Sequence, residues 1–454
     1  MILIGARQAL ILNWIAFAFQ FRRAKDSHKV NMLLAQFPDV RSTDSLTLGF
    51  SLIFIGAMVL SILPGSLHQQ QPALNIQNSS NFNVSDNPGD STYPSIATSA
   101  DNIYVVWQDN YMGQSISHDK KNYDILFTRS TNSGKNFENI SQLSSSIELS
   151  GRPIVTAFDS NVYVVWIEDT PKEKQIWFRK STDNGSTFDE PINLGRSDYN
   201  RDYIVPKAIA AFGDKVYVVW RHLTEDGRGS SILFRASKDT GNSFGETREI
   251  SDNAIFTSSP KVSASNNIVY VVWDVTYNDG KKGNKSEGIF FTKTSDDGMT
   301  FKKESKLNGS NEFGEAQVVA DLNEVYVAWA GSVYNPDQHM KRVFLTISSN
   351  NGDTFAEPFL INKGFRDSAN VDFAKTEGRL HAVWQARVMG NGEIFHKSSL
   401  SIKPLMFGSA TNLSNTEGLS ECPSVALSGN STYVVWEDNT YGNHEIFFKK
   451  LLSI

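Results

Sequence analysis

Tryptophan recurs at a nearly fixed spacing through most of this sequence. Each one ends a short β-branched and aromatic run such as Val162–Trp166 (VYVVW). Seven of the nine tryptophans hold this position, 52 to 59 residues apart. A repeat of about fifty residues that carries several short strands indicates a β-propeller or a related array. The seven are Trp107, Trp166, Trp220, Trp273, Trp329, Trp384 and Trp436.

Each repeat supplies four candidate strands. The first follows a proline, the second is the tryptophan run, the third is of the Ile-Phe-Phe type and the fourth follows a turn. The second is apolar at successive positions, which predicts that both of its faces are buried. We therefore predict an all-β chain that forms a seven-bladed β-propeller with four-stranded antiparallel blades.

The seventh repeat ends after its third strand, at Ile446 to Leu452. Residues 81–86 (NFNVSD) are similar to residues 411–415 (TNLSN), and both stretches precede a proline-led first strand. We predict that this N-terminal strand completes the last blade, because a closed ring leaves no open sheet edge.

The first 79 residues lie outside the repeats. Residues 46–63 form an uncharged apolar run that follows several basic residues. This pattern predicts an N-terminal hydrophobic helix, either a membrane anchor or the apolar region of a signal peptide. The alternative start at Met32 would keep the same helix. The predicted organisation is a cytoplasmic or leader segment at 1–45, the helix at 46–63, a linker at 64–79 and the propeller at 80–454. The basic residues before the helix predict that the propeller is exported, at the cell surface or secreted.

The charge and composition of the chain limit the kinds of partner and cofactor that are expected. The net charge is −6 and the repeats contain no basic run, so nucleic acid is not an expected partner. The single cysteine, Cys422, excludes an intrachain disulfide. We expect no cofactor, although oxygen-rich loops after Trp107 and Trp436 could hold calcium. The other interpretation of these loops is that Asp, Asn and Gly shape a hairpin turn.

A turn of the form Ser/Thr-x-Asp/Asn-x-Gly-x-x-Phe follows the third strand in five repeats. The acidic or amide side chain can accept backbone N–H groups within the turn, and the glycine supplies a positive φ. The closing phenylalanine is expected to pack between sheets. The strongest matches include Asp183 with Gly185, Asp239 with Gly241, and Asp296 with Gly298.

These turns resemble the Asp box, or BNR repeat, of the sialidase (neuraminidase) superfamily, and the resemblance covers residues 80–454. It implies a propeller whose turns lie on the face opposite the active site. The sequence departs from the family in two ways. It has seven repeats, whereas the family implies a six-bladed ring, and it lacks the Phe/Tyr-Arg-Ile-Pro motif that precedes the first turn in that family. The nearest string, Arg152-Pro153-Ile154, is scrambled and lies after the first turn.

The resemblance also implies what a catalytic site would need. Arginines would hold a sugar carboxylate, for which Arg152, Arg221 and either Arg366 or Arg387 are candidates. Tyr203 would be the nucleophile, Glu315 its base and Asp274 the acid. Other top-face candidates for ligand binding are Asp109, Arg201, Arg387, Glu437 and Asp438. The alternative is that all of these are solvated loop charges.

Two functions remain open at this point. The first is an exported, membrane-anchored propeller that binds a carbohydrate or protein ligand on its top face. The second is an exo-α-sialidase-type glycoside hydrolase. The turns explain the fold and leave the chemistry unexplained, so the sequence favours the binding module.

Overall fold

Seven antiparallel sheets make up the part of the chain that the computed structural model describes. The described residues are 77–78, 80–111, 122–144, 149–170, 173–196, 207–223, 229–251, 256–278, 284–307, 314, 316–335, 338–365, 367–376, 378–402 and 405–452. In each sheet the first three blade strands lie side by side in sequence order, and in the last sheet two short strands from the N-terminal side pair with the final strand. The predicted seven-bladed β-propeller with four-stranded antiparallel blades is confirmed.

The blades are numbered from the N-terminal end. Blades 1 to 3 contain β3 Ser91–Ser99, β4 Asn102–Asp109, β5 Asp124–Ser130, β6 Ser141–Gln142, β7 Leu149–Phe158, β8 Asn161–Asp169, β9 Lys174–Ser181, β10 Ile192–Arg196, β11 Lys207–Phe212, β12 Lys215–Leu223, β13 Ser230–Ser237 and β14 Arg248–Glu249. They are preceded by β1 Gln77–Asn78 and β2 Phe82–Asn83.

Blades 4 and 5 contain β15 Phe256–Ser265, β16 Ile268–Asn278, β17 Asn284–Thr294, β18 Ser305–Lys306, β19 Ala316–Asp321, β20 Glu324–Asn335, β21 Gln338–Ser348 and β22 Phe359–Leu360. Blades 6 and 7 contain β23 Ala369–Thr376, β24 Arg379–Val388, β25 Asn391–Ile402, β26 Leu405–Phe407, β27 Thr411–Asn412, β28 Ser420–Ser428, β29 Ser431–Asp438 and β30 Glu445–Leu452.

The tryptophan strands form the core. All seven of the recurring tryptophans are at most 1% exposed. Hydrophobic clusters join neighbouring blades: Tyr104 and Val106 of blade 1 pack with Val155 and Val164 of blade 2. The prediction that both faces of these strands are buried is therefore confirmed, because each face contacts the adjacent sheet.

In blades 1 to 5 the glycine-containing turn packs on a phenylalanine of the neighbouring blade. In the turn of blade 2, Gly185 has a φ of +76°, and a Cβ there would lie 2.8 Å from the ring of Phe127 in blade 1. The closing Phe188 packs edge-to-face on the same ring, with 5.0 Å between ring centroids. Only glycine fits at this position, since a side chain would be both strained and blocked.

The N-terminal strand β2 pairs antiparallel with β30, Phe82 opposite Phe448. Two hydrogen bonds extend the contact: Val84 N donates to Ile446 O at 2.7 Å, and Ile446 N donates to Ser85 Oγ at 2.8 Å. The predicted helix at 46–63 lies outside the described residues. Within those residues no helix is long and apolar enough to cross a membrane.

The innermost strands of five blades are interrupted by a β-bulge. At each one the register with the second strand shifts, for example between Gly151 and Ile154 in blade 2. A non-glycine residue in each bulge adopts a positive φ, which is uncommon and is often found at functional positions. These residues are Tyr93, Arg152, Ser259, Asn370 and Cys422.

Candidate functional site

The bulges lie at the end of the propeller opposite the glycine turns. This top face is formed by the loops between the second and third strands and by the loops that enter each first strand. The bulges of blades 1, 2, 6 and 7 bring polar side chains into one connected group, which we call the top-centre cluster. It consists of Tyr93, Arg152, Asn370, Gln385, Glu421, Cys422 and Glu437.

Tyr93 is the centre of this cluster. Its backbone N donates a hydrogen bond to Glu437 Oε2 at 2.7 Å. Its phenolic oxygen accepts one from Arg152 Nη2 at 2.8 Å, and the Arg152 guanidinium carbon lies 3.9 Å from the centre of the tyrosine ring. Gln108 orients the arginine, because its Oε1 accepts from the Arg152 backbone N at 2.9 Å. Three blades therefore meet at one residue: Arg152 contacts the Tyr93 side chain, and Glu437 contacts its backbone.

Glu421 and Glu437 face each other across β28 and β29 in the strand register. Glu421 Oε1 accepts a hydrogen bond from Gln385 Nε2 at 2.8 Å, and Gln385 Oε1 accepts one from Asn370 Nδ2 at 2.9 Å. Asn370 also lies 3.8 Å from the Cys422 sulfur. The cluster thus extends from blade 7 into blade 6 through amide side chains.

Burial changes the acidity of two groups in the cluster. Glu437 is 6% exposed, and burial raises the pKa of its carboxyl above the usual range while the hydrogen bond from Tyr93 N acts against this. Burial also raises the pKa of Tyr93, although the positive charge of Arg152 lowers it. The Tyr93 phenol is therefore protonated at neutral pH.

Three of the predicted site residues share one position in their blades. Arg221, Asp274 and Glu437 each follow the tryptophan at the top end of the second strand, in blades 3, 4 and 7. Arg221 is 8% exposed. Arg152 and Glu437 both contact Tyr93, the arginine through the phenolic oxygen and the glutamate through the backbone N.

Asp109 and Asp438 stabilise loops. Asp109 Oδ2 accepts hydrogen bonds from Asn87 Nδ2 at 2.9 Å and from Trp107 Nε1 at 3.1 Å. Asp438 accepts from Thr440 N at 2.8 Å and from Ser420 Oγ at 2.6 Å. Both carboxylates are fully buried, so their oxygens face the loops rather than a ligand.

The remaining predicted residues are not brought to the cluster by the described structure. Tyr203, Glu315, Arg366 and Arg201 lie outside the described residues. Arg387 is exposed and is the last residue but one of β24. No group of three or more His, Cys, Asp or Glu side chains within the described ranges could hold a metal ion.

Sequence reasoning missed Tyr93, Asn370 and Gln385. The available signal was local: Tyr93 and Arg152 both stand immediately before a proline at the start of a first strand. Neither position is close in sequence to its partner, since Tyr93 and Glu437 are 344 residues apart. Their contact depends on ring closure between blades 7 and 1.

Solved structures provide the comparison with known proteins. The chain is similar in fold to sialidases and to an arabinofuranosidase. The GH93 α-L-arabinofuranosidase of Fusarium graminearum with arabinobiose matches at a TM-score of 0.48 and 10% identity, over 83% of this chain and 98% of that one. A Hadza microbial sialidase matches at 0.46 and 14%, over 80% and 66%. The phage phi92 endosialidase matches at 0.47 and 12%, over 84% and 69%.

No protein-family model and no curated protein sequence matches the chain. At 10 to 14% identity the similarity to the three structures concerns the fold alone. The functional argument therefore rests on the side chains of the top-centre cluster.

Proposed function

We propose that this chain binds a carbohydrate at the top centre of the propeller through Tyr93, Arg152 and Glu437. The observation that carries the proposal is that Arg152 contacts the Tyr93 side chain while Glu437 accepts a hydrogen bond from the Tyr93 backbone N, which joins three blades at one residue. Sugar hydroxyls both donate and accept hydrogen bonds. The cluster supplies hydrogen-bond donors and acceptors for these hydroxyls, because it contains guanidinium, carboxyl, phenol and amide groups. The guanidinium and amide groups are planar and can form paired hydrogen bonds.

Binding fits the tyrosine better than nucleophilic catalysis does. A nucleophile needs activation, by a lowered pKa or an adjacent base. Burial instead raises the pKa of Tyr93, so at neutral pH its phenol keeps a proton that it can donate in a hydrogen bond. The Arg152 guanidinium carbon lies 3.9 Å from the centre of the tyrosine ring. Both properties suit recognition of a sugar.

The direct test is a glycan array with the full-length chain. We expect Arg152→Ala and Glu437→Gln to weaken the strongest glycan signal by about tenfold or more, since each removes a charge-assisted contact. Asp239→Asn, on the opposite face, serves as the matched control and keeps the signal. A folded chain with no glycan signal would contradict carbohydrate binding and leave a protein ligand to be sought.

A second candidate function is hydrolysis of a sialoside. Its supporting observation is that a tyrosine, an arginine and a buried glutamate are adjacent, and that burial raises the pKa of Glu437, the direction in which enzymes shift a general-acid carboxyl. Turnover of a fluorogenic sialoside that Tyr93→Phe and Glu437→Gln both abolish would establish this activity. No turnover between pH 4 and 8 would exclude it under those conditions.

We also propose the finer organisation of the chain. Residues 46–63 anchor the protein in a membrane with the propeller at the cell surface, the five glycine turns are Asp boxes, and the strand that contains Phe82 closes the ring. Alkaline extraction of membranes tests the anchor: the full-length chain stays in the pellet, whereas a variant without residues 46–63 is released.

A further inference from the structure

Two tyrosines are exposed on the top face beside the cluster. Tyr441 is 70% exposed and lies in the loop that joins β29 to β30, in blade 7. Tyr111 is 54% exposed and lies two residues after the end of β4, in blade 1. Large aromatic side chains with this much exposed surface on neighbouring loops often belong to binding surfaces.

The segment 87–90 ties the two loops together. Asn443 Nδ2, two residues after Tyr441, donates to Asn87 O at 2.9 Å and to Gly89 O at 2.6 Å. On the other side, Asp90 N donates to Asn110 Oδ1 at 2.9 Å. A Cβ on Gly89 would lie 2.7 Å from Tyr111 Cβ, so the segment is in close contact with that tyrosine.

Each tyrosine also contacts a residue of its own blade. The Tyr441 ring lies 5.8 Å from Phe447, which stacks on the buried Trp436 at 6.0 Å. Tyr111 N donates to Asp109 Oδ1 at 2.7 Å, the carboxylate that also holds Trp107. The Tyr441 ring is thus held by aromatic packing, and a ring that is already held in place binds with little loss of conformational entropy.

This surface continues into the top-centre cluster. His444 follows Asn443, and its Nδ1 lies 3.8 Å from Asp90 Oδ1. Glu437 pairs with Ile446, two residues after His444, in the register of β29 and β30, so the start of β30 lies beside the cluster. The loop that carries Tyr441 therefore connects the cluster in blade 7 to Tyr111 in blade 1.

We infer that the ligand is an oligosaccharide rather than a single sugar. One unit occupies the top-centre cluster, and the following units stack on Tyr441 and Tyr111. The C–H faces of sugar rings are apolar and slightly positive, and they match the negative face of an aromatic ring. This inference rests on the proposed carbohydrate binding and adds the length of the ligand to it.

Calorimetry with short and long probes tests the inference. The probes are N-acetylneuraminic acid against 3′-sialyllactose, and arabinose against arabinobiose, titrated into the full-length chain. We expect the longer member of the recognised pair to bind about tenfold tighter. In the Tyr111→Ala/Tyr441→Ala variant we expect equal affinities for the two, with the affinity for the single sugar unchanged.

Two variants serve as controls. Tyr111→Phe/Tyr441→Phe keeps the rings and should keep the preference for the longer sugar. Met389→Ala removes a fully exposed side chain from blade 6 and should change nothing. Equal binding of both lengths by the wild type, or a preference that survives the alanine variant, would overturn the inference while leaving carbohydrate binding in place. Binding of neither length in both pairs would contradict the proposed function itself.

Discussion

At the scale of single residues, the glycine turns show how one side chain organises a loop. Asp239 Oδ1 accepts a hydrogen bond from Ser237 Oγ at 2.7 Å and from Ser243 N at 2.9 Å. Its other oxygen accepts from Ser243 Oγ at 2.6 Å. The hydrogen bonds from Ser243 and Ser237 lower the pKa of this carboxyl to about 2. Asn132 and Asn350 hold the same position in blades 1 and 5 with similar bonds.

Asp239→Ala should therefore lower the free energy of unfolding by about 1 kcal/mol, while Asp239→Asn should cost less. Because the pKa of Asp239 is lower in the folded chain, the ionised carboxylate stabilises the fold above about pH 4, the pKa of the carboxyl in the unfolded chain. This stabilisation is lost as the pH falls towards 2. Urea unfolding at pH 7 and at pH 2 measures both effects, and the difference between wild type and the asparagine variant should disappear at pH 2. An asparagine variant as unstable as the alanine one would contradict this account.

At the scale of strands, blade 6 departs from a pattern that five of the other blades share. In five blades a tyrosine of the second strand stacks on a phenylalanine of the third, as Tyr163 does on Phe178. In blade 6 the equivalent pair is His381 and His396, which are 3% and 2% exposed. Their rings are stacked and their nearest nitrogens are 3.1 Å apart, and Thr432 Oγ1 of blade 7 lies 3.0 Å from His381 Nδ1.

This pair should make the protein less stable in acid. Burial lowers the pKa of His381 to about 4 and of His396 to about 3, below the unfolded value of 6.5. The unfolded chain therefore binds more protons, so stability is complete above pH 6.5 and falls as the pH drops from 6.5 towards 3. We expect the variant His381→Tyr/His396→Phe/Thr432→Val, which restores the pattern of the other blades, to flatten the pH dependence of the melting temperature in this range.

The matched control is Tyr163→Phe in blade 2, which leaves both titrating imidazoles in place and should keep the acid sensitivity of the wild type. If the triple variant loses stability between pH 6.5 and 4 as steeply as the wild type does, the histidines are not its source.

These elements also show what the sequence could and could not predict. The spacing of the tryptophans predicted the number of blades, because each blade has one strand that is buried on both faces. Such a strand must be apolar throughout, so it can be recognised and counted in the sequence. Of the top-centre cluster, only Arg152 and Glu437 were candidates from the sequence. The positive φ of Tyr93 arises from a bulge that leaves no clear mark in a strand pattern, and its partner Glu437 reaches it only in the closed ring. Asp109 looked like a ligand-binding residue because sequence does not show that its oxygens are used by the adjacent loop.

At the scale of the whole molecule, blade 7 combines both ends of the repeat region. Ser85 accepts a hydrogen bond from Ile446 N and contacts Glu445. Ser144 does the same in blade 1, where it accepts from Ile125 N at 2.9 Å and donates to Asp124 at 2.9 Å. The N-terminal segment therefore copies the outer strand of an ordinary blade, but no hairpin tethers it to its neighbour.

That difference in tethering predicts different behaviour for two equivalent substitutions. Ser85→Ala and Ser144→Ala each leave a buried backbone N–H without its acceptor, and each should lower the free energy of unfolding by about 1 to 2 kcal/mol. In Ser144→Ala the outer strand stays beside its blade because the chain connects them. In Ser85→Ala the N-terminal strand can leave, which exposes the edge of β30. Hydrogen exchange should therefore rise around Val84 and Ile446 in Ser85→Ala, together with protease cleavage near residue 84, and should rise only locally in Ser144→Ala. Equal exchange patterns in the two variants would show that the N-terminal strand is held by more than its pairing with β30.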